Sequence, residues 1–115
     1  TNYEPGTIVA LGGSEEITKV NEDMSNEVFG VVSEQPAYLM NAKQTNGTPV
    51  AISGRVKGKV KGKINKGDRL VSAGNGMARS ASADESINAF NVIGRAIQSK
   101  NSQDEGTIEA FVTIN

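Results

Sequence analysis

The stretch Arg55–Ile64, which reads RVKGKVKGKI, alternates basic residues with small or apolar ones without a break. Successive side chains of a β-strand point to opposite faces, so the bases would share one face and Val56, Val60 and Ile64 the other. The pattern therefore predicts an amphipathic strand with one hydrated and one buried face. A hydrated row of Arg and Lys also discourages edge-to-edge pairing with a foreign strand.

Short runs of β-forming residues, separated by turn residues, fill most of the remaining sequence. Gly74-Asn75-Gly76 supplies the left-handed backbone positions of a tight hairpin turn. Only residues 82–90 favour a helix, of one or two turns, since Ser82 and Glu85 have capping-box spacing. Many short strands at this spacing predict an all-β domain, a small barrel or sandwich. The predicted strands are residues 7–11, 17–20, 28–32, 49–52, 55–64, 70–73, 77–80, 92–97 and 107–114.

Residues 5–33 and 66–97 show a weak internal similarity. Each begins with a turn glycine, Gly6 or Gly67, and continues through a strand, a further turn and a return strand. Each ends with a hydrophobic strand that contains a glycine. Two similar β units packed about a pseudo-twofold axis, each closing the other's open edge, would explain the pattern. Chance similarity between β-rich segments is the alternative.

The composition favours a single domain over residues 1–115 and excludes several classes of chemistry. The chain has no Cys and no His, which excludes disulfides, thiolate or histidine metal sites and Ser-His-Asp catalysis. A Ser–Lys dyad at Ser53 or Ser72 is the nucleophilic arrangement left, and no spacing selects it. We therefore predict no enzymatic activity, no catalytic residue, no metal and no cofactor. The apolar runs are too short to cross a bilayer, so no membrane partner is predicted.

The net charge of −1 conceals two blocks of opposite sign. Residues 1–34 carry seven acids and one base, a sum of −6, and residues 55–69 carry seven bases and one acid, a sum of +6. The blocks could neutralise each other within one chain, or meet between subunits, where complementary patches fix orientation. Nucleic acid is not a predicted partner, because no aromatic residues interleave with the bases.

Two features indicate contacts between subunits. Gly58 and Gly62 alternate with valine and would let another backbone approach closely. Residues 33–48 lack clear strand periodicity and contain three large apolar side chains, which would fold onto the core or fill a partner's groove. The predicted interface residues are Tyr38, Leu39, Met40, Arg55, Lys57, Gly58, Lys59, Lys61, Gly62 and Lys63.

The order of segments along nearly the whole chain resembles a domain of tailed-phage structural proteins. The segments that carry the resemblance are residues 3–9, 12–13, 16–18, 28–33, 36–41, 49–56, 66–72 and 92–96. In T4-like phages, notably those of cyanobacteria, such a block looks like the C-terminal part of long virion fibre or appendage proteins. It is also similar to the β-rich region of phage appendage proteins classed as autoproteolytic.

The resemblance implies a β-rich, trimeric virion component with a structural or receptor-facing role. Its partners would be further copies of the chain, other virion proteins and a host surface glycan. No self-cleavage residue is carried over, because no position can be matched. Three alternative functions stay open: a capsid decoration protein that stabilises the head, a carbohydrate-binding receptor tip, and a self-cleaving processing domain.

Overall fold

The computed structural model describes residues 3–11, 17–33, 40–45 and 48–114, with the backbone alone for residues 40–45 and 48. Nine β-strands and no helix lie in these segments, which confirms the predicted all-β fold. The strands are β1 (Ile8–Leu11), β2 (Ile17–Lys19), β3 (Val28–Val32), β4 (Met40–Thr45), β5 (Thr48–Lys61), β6 (Arg69–Gly74), β7 (Met77–Ser80), β8 (Val92–Ala96) and β9 (Glu105–Thr113).

Five of these strands close into a barrel in the order β5-β7-β6-β8-β9, because β9 returns to pair with β5. The closing ladder is antiparallel and runs from the pair Ser53–Thr113 to the pair Lys61–Glu105. β7 meets β5 in parallel orientation where Val60 lies opposite Ala78. Closure gives each of the five strands a partner on both sides, which protects them from pairing with foreign strands.

The remaining strands extend the sheet from the first half of β5. β3 and β4 pair with β5 around Ala51, and β1 and β2 continue the sheet outward from β3. Ile52 is the extra residue of a β-bulge opposite Asn41 and Ala42. The bulge shifts the alternation by one residue, so that Ala51 before it and Val56 after it are both buried in the main core. One long strand thereby belongs to both the barrel and the extension.

The predicted hairpin turn at Gly74-Asn75-Gly76 joins β6 to β7. Its residues have φ angles of 83°, 54° and 73°, in the left-handed region that Gly and Asn tolerate best. Gly76 N donates to the Val20 carbonyl at 2.7 Å, and the Gly76 carbonyl accepts from Ile8 N at 2.8 Å. Through these backbone hydrogen bonds, the turn also joins the barrel to the extension.

The prediction of a short helix at residues 82–90 is wrong, since these residues form turns and loop. One of the two capping-box bonds is present, together with a backbone turn bond. Ser82 N donates to Glu85 Oε1 at 2.7 Å, and Glu85 N donates to the Ser82 carbonyl at 3.1 Å. A capping box satisfies the donors of one turn, but further turns need packing of an apolar face, which this segment does not have.

The strands also differ from the prediction, which missed β4 and divided β5 into residues 49–52 and 55–64. β4 lies within residues 33–48, where the sequence shows no clear strand periodicity. β5 ends at Lys61 rather than at Ile64, because Gly62 has a φ of 82° and turns the chain. Ile64 is still buried, and it forms an isolated bridge with Lys100.

The two segments with internal similarity have the same local geometry. Each starts with a glycine at φ 92° whose N–H bonds the carbonyl at the end of a later strand, at 2.7 Å in the first segment and 2.8 Å in the second. In each, the glycine of that later strand faces a buried residue of the first strand, and a register shift follows directly. The matched residues are Gly6 and Gly67, Val9 and Leu70, Gly30 and Gly94, and Val32 and Ala96. Two similar β units would produce this shared register.

The two units differ in what covers their faces. In the first unit, Ile8 and Val31 lie in the main core, and their neighbours along β1 and β3 lie in a smaller core on the other side. In the second unit, one face of β6 and β8 lines the main core. The opposite face is exposed at Arg69 and Arg95.

Candidate functional site

The basic side of β5 lies on the outside of the barrel, as the alternation predicts. The apolar residues of the stretch are buried in the main core, and the basic ones face solvent. The exposed bases are Arg55, Lys57, Lys61 and Lys63, with Lys59 half-buried. The amphipathic strand is thus confirmed, and it places four of the predicted interface residues on one surface, with Lys63 beyond the end of the strand.

Acidic residues of β9 lie across the ladder from two of these bases. Glu109 is opposite Lys57, and Glu105 is opposite Lys61. Arg55 donates from Nε and Nη2 to one Glu109 oxygen, at 3.1 and 2.5 Å. These bonds lower the pKa of Glu109 and raise the pKa of Arg55. The basic face is therefore partly neutralised by its neighbouring strand.

The acidic block of residues 1–34 meets the basic block in an ion pair between Glu4 and Lys59. The bond from Lys59 lowers the pKa of Glu4. Glu22 and Glu27 are exposed and form no ion pair in the part of the chain that the structure describes. Each block thus keeps charge that the other does not neutralise. Glu15, Glu16 and Glu34 lie outside the described residues.

Asp23 of the acidic block binds Arg79 on β7 instead. Arg79 donates to both Asp23 oxygens at 2.8 and 2.9 Å, and to both Glu85 oxygens at 2.8 and 2.6 Å. One guanidinium thereby ties the loop before β3 and the turn after β7 to the barrel. The bonds from Arg79 lower the pKa of both acids, and with help from the Ser82 N–H they lower the pKa of Glu85 to about 2.

Acid is expected to weaken the fold through Glu85. Its folded pKa of about 2 lies below the ordinary 4.5, so the folded protein favours the charged form more than the unfolded chain does. This stabilisation is complete above about pH 4.5 and is lost as the pH falls toward about 2. Urea unfolding measured over this range should show a shallower loss of stability for Glu85→Gln than for the unaltered protein. Equal slopes would mean that this group does not couple folding to pH.

Among the described residues, no close contact forms on the side of Gly58 or Gly62 where a side chain would lie. Gly58 is buried, yet no heavy atom beyond its chain neighbours lies within 4 Å of the position its Cβ would occupy. The nearest atom to such a position at Gly62 is Gln103 Oε1, at 3.7 Å. Close approach of another subunit at these glycines stays a prediction.

The predicted apolar contact loop falls mostly outside the described residues, where Tyr38 and Leu39 both lie. Met40 begins β4, and its backbone pairs with Gly54 on β5. The loop therefore leads directly into a strand of the extension. Its contact with a partner stays a prediction.

A cleft of about 530 Å³ opens between the N-terminal segment, the hairpin turn and the ends of β5 and β9. Its lining includes the Glu4–Lys59 ion pair and the bond of 3.0 Å from Lys19 Nζ to Asn75 Oδ1. The lining residues are Tyr3, Glu4, Thr7, Lys19, Lys59, Asn75, Met77, Glu105, Gly106 and Thr107. Polar groups of both signs beside one aromatic ring suit a small polar ligand. The sequence did not point to this group, because its members come from segments far apart in the chain.

In the described residues, no group of three or more Asp, Glu, His or Cys side chains is placed to hold a metal ion. No helix in these segments is long and apolar enough to cross a membrane. Comparison of the sequence with protein-family models and with curated proteins gave no match. Function must therefore be argued from the surfaces of the molecule.

Proposed function

We propose that this chain is an assembly domain of a tailed-phage virion protein, in a tail fibre or appendage, and that it acts as a homotrimer rather than as an enzyme. The resemblance along the sequence suggests the class of protein. The closed β-barrel agrees with the β-rich architecture that the resemblance implies. In a receptor-facing role, the cleft beside Tyr3 is where a host surface glycan would bind.

The observation that carries the proposal is a pair of exposed surfaces of opposite charge. Lys61 and Lys63 on the basic side, and Glu22 and Glu27 on the acidic side, form no ion pair among the residues described here. Exposed charge of both signs that is unpaired among the described residues suits contact between copies, because complementary patches steer association and fix orientation.

The candidate nucleophiles support a structural role rather than a catalytic one. Ser72 is fully buried, and its Oγ donates to the Glu22 carbonyl at 2.7 Å and accepts from Gly74 N at 3.1 Å. Ser53 lies in the barrel-closing ladder, opposite Thr113. A nucleophilic serine needs an adjacent base and access to substrate, and these bonds give Ser72 neither.

Light scattering after size exclusion tests the proposal. At about 0.05 M salt we expect a mass near three times 12.1 kDa. At about 1 M salt the screening length falls to about 3 Å, so the charged contacts should weaken and the trimer should dissociate. A monomer at every salt concentration would contradict the homotrimer and would favour the capsid decoration alternative.

A further inference from the structure

Four neighbouring strands place four directly paired residues side by side on the outside of the barrel. Arg69 on β6 pairs with Arg95 on β8, which pairs with Phe111 on β9, which pairs with Arg55 on β5. Directly paired residues of an antiparallel ladder lie on the same face. All four are exposed, and Phe111 keeps 51% of its surface. We call Arg69, Arg95 and Phe111 the arginine–phenylalanine row.

The row carries positive charge that no acid of the described segments pairs with. Glu109 binds Arg55, but Arg95 donates from Nε only to a neutral group, the Gly67 carbonyl, at 3.1 Å. Arg69 forms no ion pair within the described segments. Like charges directly across a ladder destabilise a sheet. Arg69 and Arg95 therefore form an electrostatically unfavourable pair on the exposed face of the barrel.

The first β unit serves as an internal comparison for this row. Its residues at the matching register positions are Ile8, Val31 and Ala51, since Ile8 pairs with Val31 and Val31 with Ala51. These residues are 1%, 1% and 0% exposed. The equivalent face is therefore covered by protein in the first unit and exposed to solvent in the second. Arginine beside an aromatic ring is the composition enriched at the centres of protein interfaces.

We infer that the arginine–phenylalanine row binds the acidic N-terminal part of a second copy of this chain. The inference rests on the proposed function, because it names the surfaces that would join the copies. Residues 1–34 carry seven acids and one base. Glu27 is exposed and lies beside Leu11, because Ala10 pairs with Val28, and Leu11 is 60% exposed. An acid beside an apolar side chain complements an arginine beside a phenylalanine.

This contact joins two different surfaces, so it is heterologous. A heterologous contact repeated around a closed rotation gives a ring, and one that does not close gives a filament. In a ring of three copies, each arginine–phenylalanine row would bind the acidic surface of the next copy. The inferred contact is therefore compatible with a homotrimer.

The test compares dissociation constants of variants by light scattering over a dilution series. Arg69→Gln with Arg95→Gln removes two positive charges from the row, and we expect the constant to rise about tenfold or more. Phe111→Ser should weaken the trimer by a similar factor. The matched control is Asn101→Asp with Gln103→Glu, at exposed positions before β9 and at its opposite end from Phe111, which lowers the net charge equally and should leave the constant unchanged. Circular dichroism confirms that each variant is folded.

A charge exchange identifies the occupant of the row. Arg69→Glu with Arg95→Glu should abolish the trimer, and adding Glu22→Arg with Glu27→Arg to the same chain should restore it. Failure of this restoration overturns the acidic segment as the occupant. A trimer that all the row variants leave intact overturns the inference but not the proposed function. An unaltered chain that is monomeric at every concentration overturns the homotrimer, and the inference with it.

Discussion

Gly94→Ala is expected to abolish or severely weaken folding. A Cβ at Gly94 would lie 2.1 Å from the Phe111 carbonyl oxygen and 2.9 Å from both the Phe111 carbonyl carbon and Val112 Cα. These are backbone atoms of β9, the strand that closes the barrel, so no side-chain rotation can relieve the overlap. We expect a loss of about 3 kcal/mol or more, out of a total stability of about 5–15 kcal/mol. Thermal unfolding should show a drop of about 12 °C or more.

Gly58→Ala is the matched control, because it adds the same methyl group to a glycine in another barrel strand. No heavy atom beyond its chain neighbours lies within 4 Å of the added carbon. Its effect should stay within about 1 kcal/mol, and the lower entropy of the unfolded chain acts in favour of the variant. Gly30→Ala should behave like Gly94→Ala, since its Cβ would lie 2.8 Å from the Ala51 carbonyl oxygen. Equal melting temperatures for the Gly94 and Gly58 variants would contradict the packing argument.

Val31→Arg is expected to be the other most damaging change. Val31 is 1% exposed in the main core, so a guanidinium there would lose its hydration without gaining an ion pair. Leaving an uncompensated charge in a protein interior costs about 3–5 kcal/mol. Urea unfolding, or the soluble yield where the variant does not fold, measures the effect.

The reverse exchange at the matching position of the second unit is the control for Val31→Arg. Arg95→Val places an apolar residue on the exposed face of β8, and its effect on the stability of the monomer, measured at about 1 M salt where the trimer should dissociate, should stay within about 0.5 kcal/mol. The two substitutions exchange the same pair of residue types at equivalent register positions. A similar loss of stability for both would show that the two faces do not differ in burial as described.

Local features of the fold could be predicted from the sequence, because local chemistry decides them. The alternation at Arg55–Lys61 requires a strand with two unlike faces, and Gly74-Asn75-Gly76 requires a tight turn. The strand at residues 40–45 could not be predicted, because its own sequence lacks strand periodicity. Its pairing with β5 holds it in the extended conformation. The capping-box spacing at Ser82 led to a wrong prediction of helix, because the bond from Ser82 N to Glu85 forms in a single turn without a helix.

The candidate surfaces could be predicted only in part. That the bases of β5 face solvent follows from the alternation, but the pairing of Arg55 with Glu109 depends on which strand closes the barrel. The arginine–phenylalanine row is harder still to foresee. Arg69 and Phe111 are distant in sequence, and Ile8 and Val31 show that the same register can be buried or exposed. What covers a face is decided by the packing of whole units.

The long ladder between β5 and β9 has a mechanical consequence. Near one end of the described chain, Lys59 N donates to the Gly6 carbonyl at 2.9 Å, which fastens the N-terminal segment to the far end of β5. Near the other end, Thr113 pairs with Ser53. Tension between the two ends would therefore pull β9 lengthwise against β5. Interstrand hydrogen bonds run across the strands, so such a pull loads them in shear and they must break together rather than one by one. The barrel would resist stretching far better than peeling.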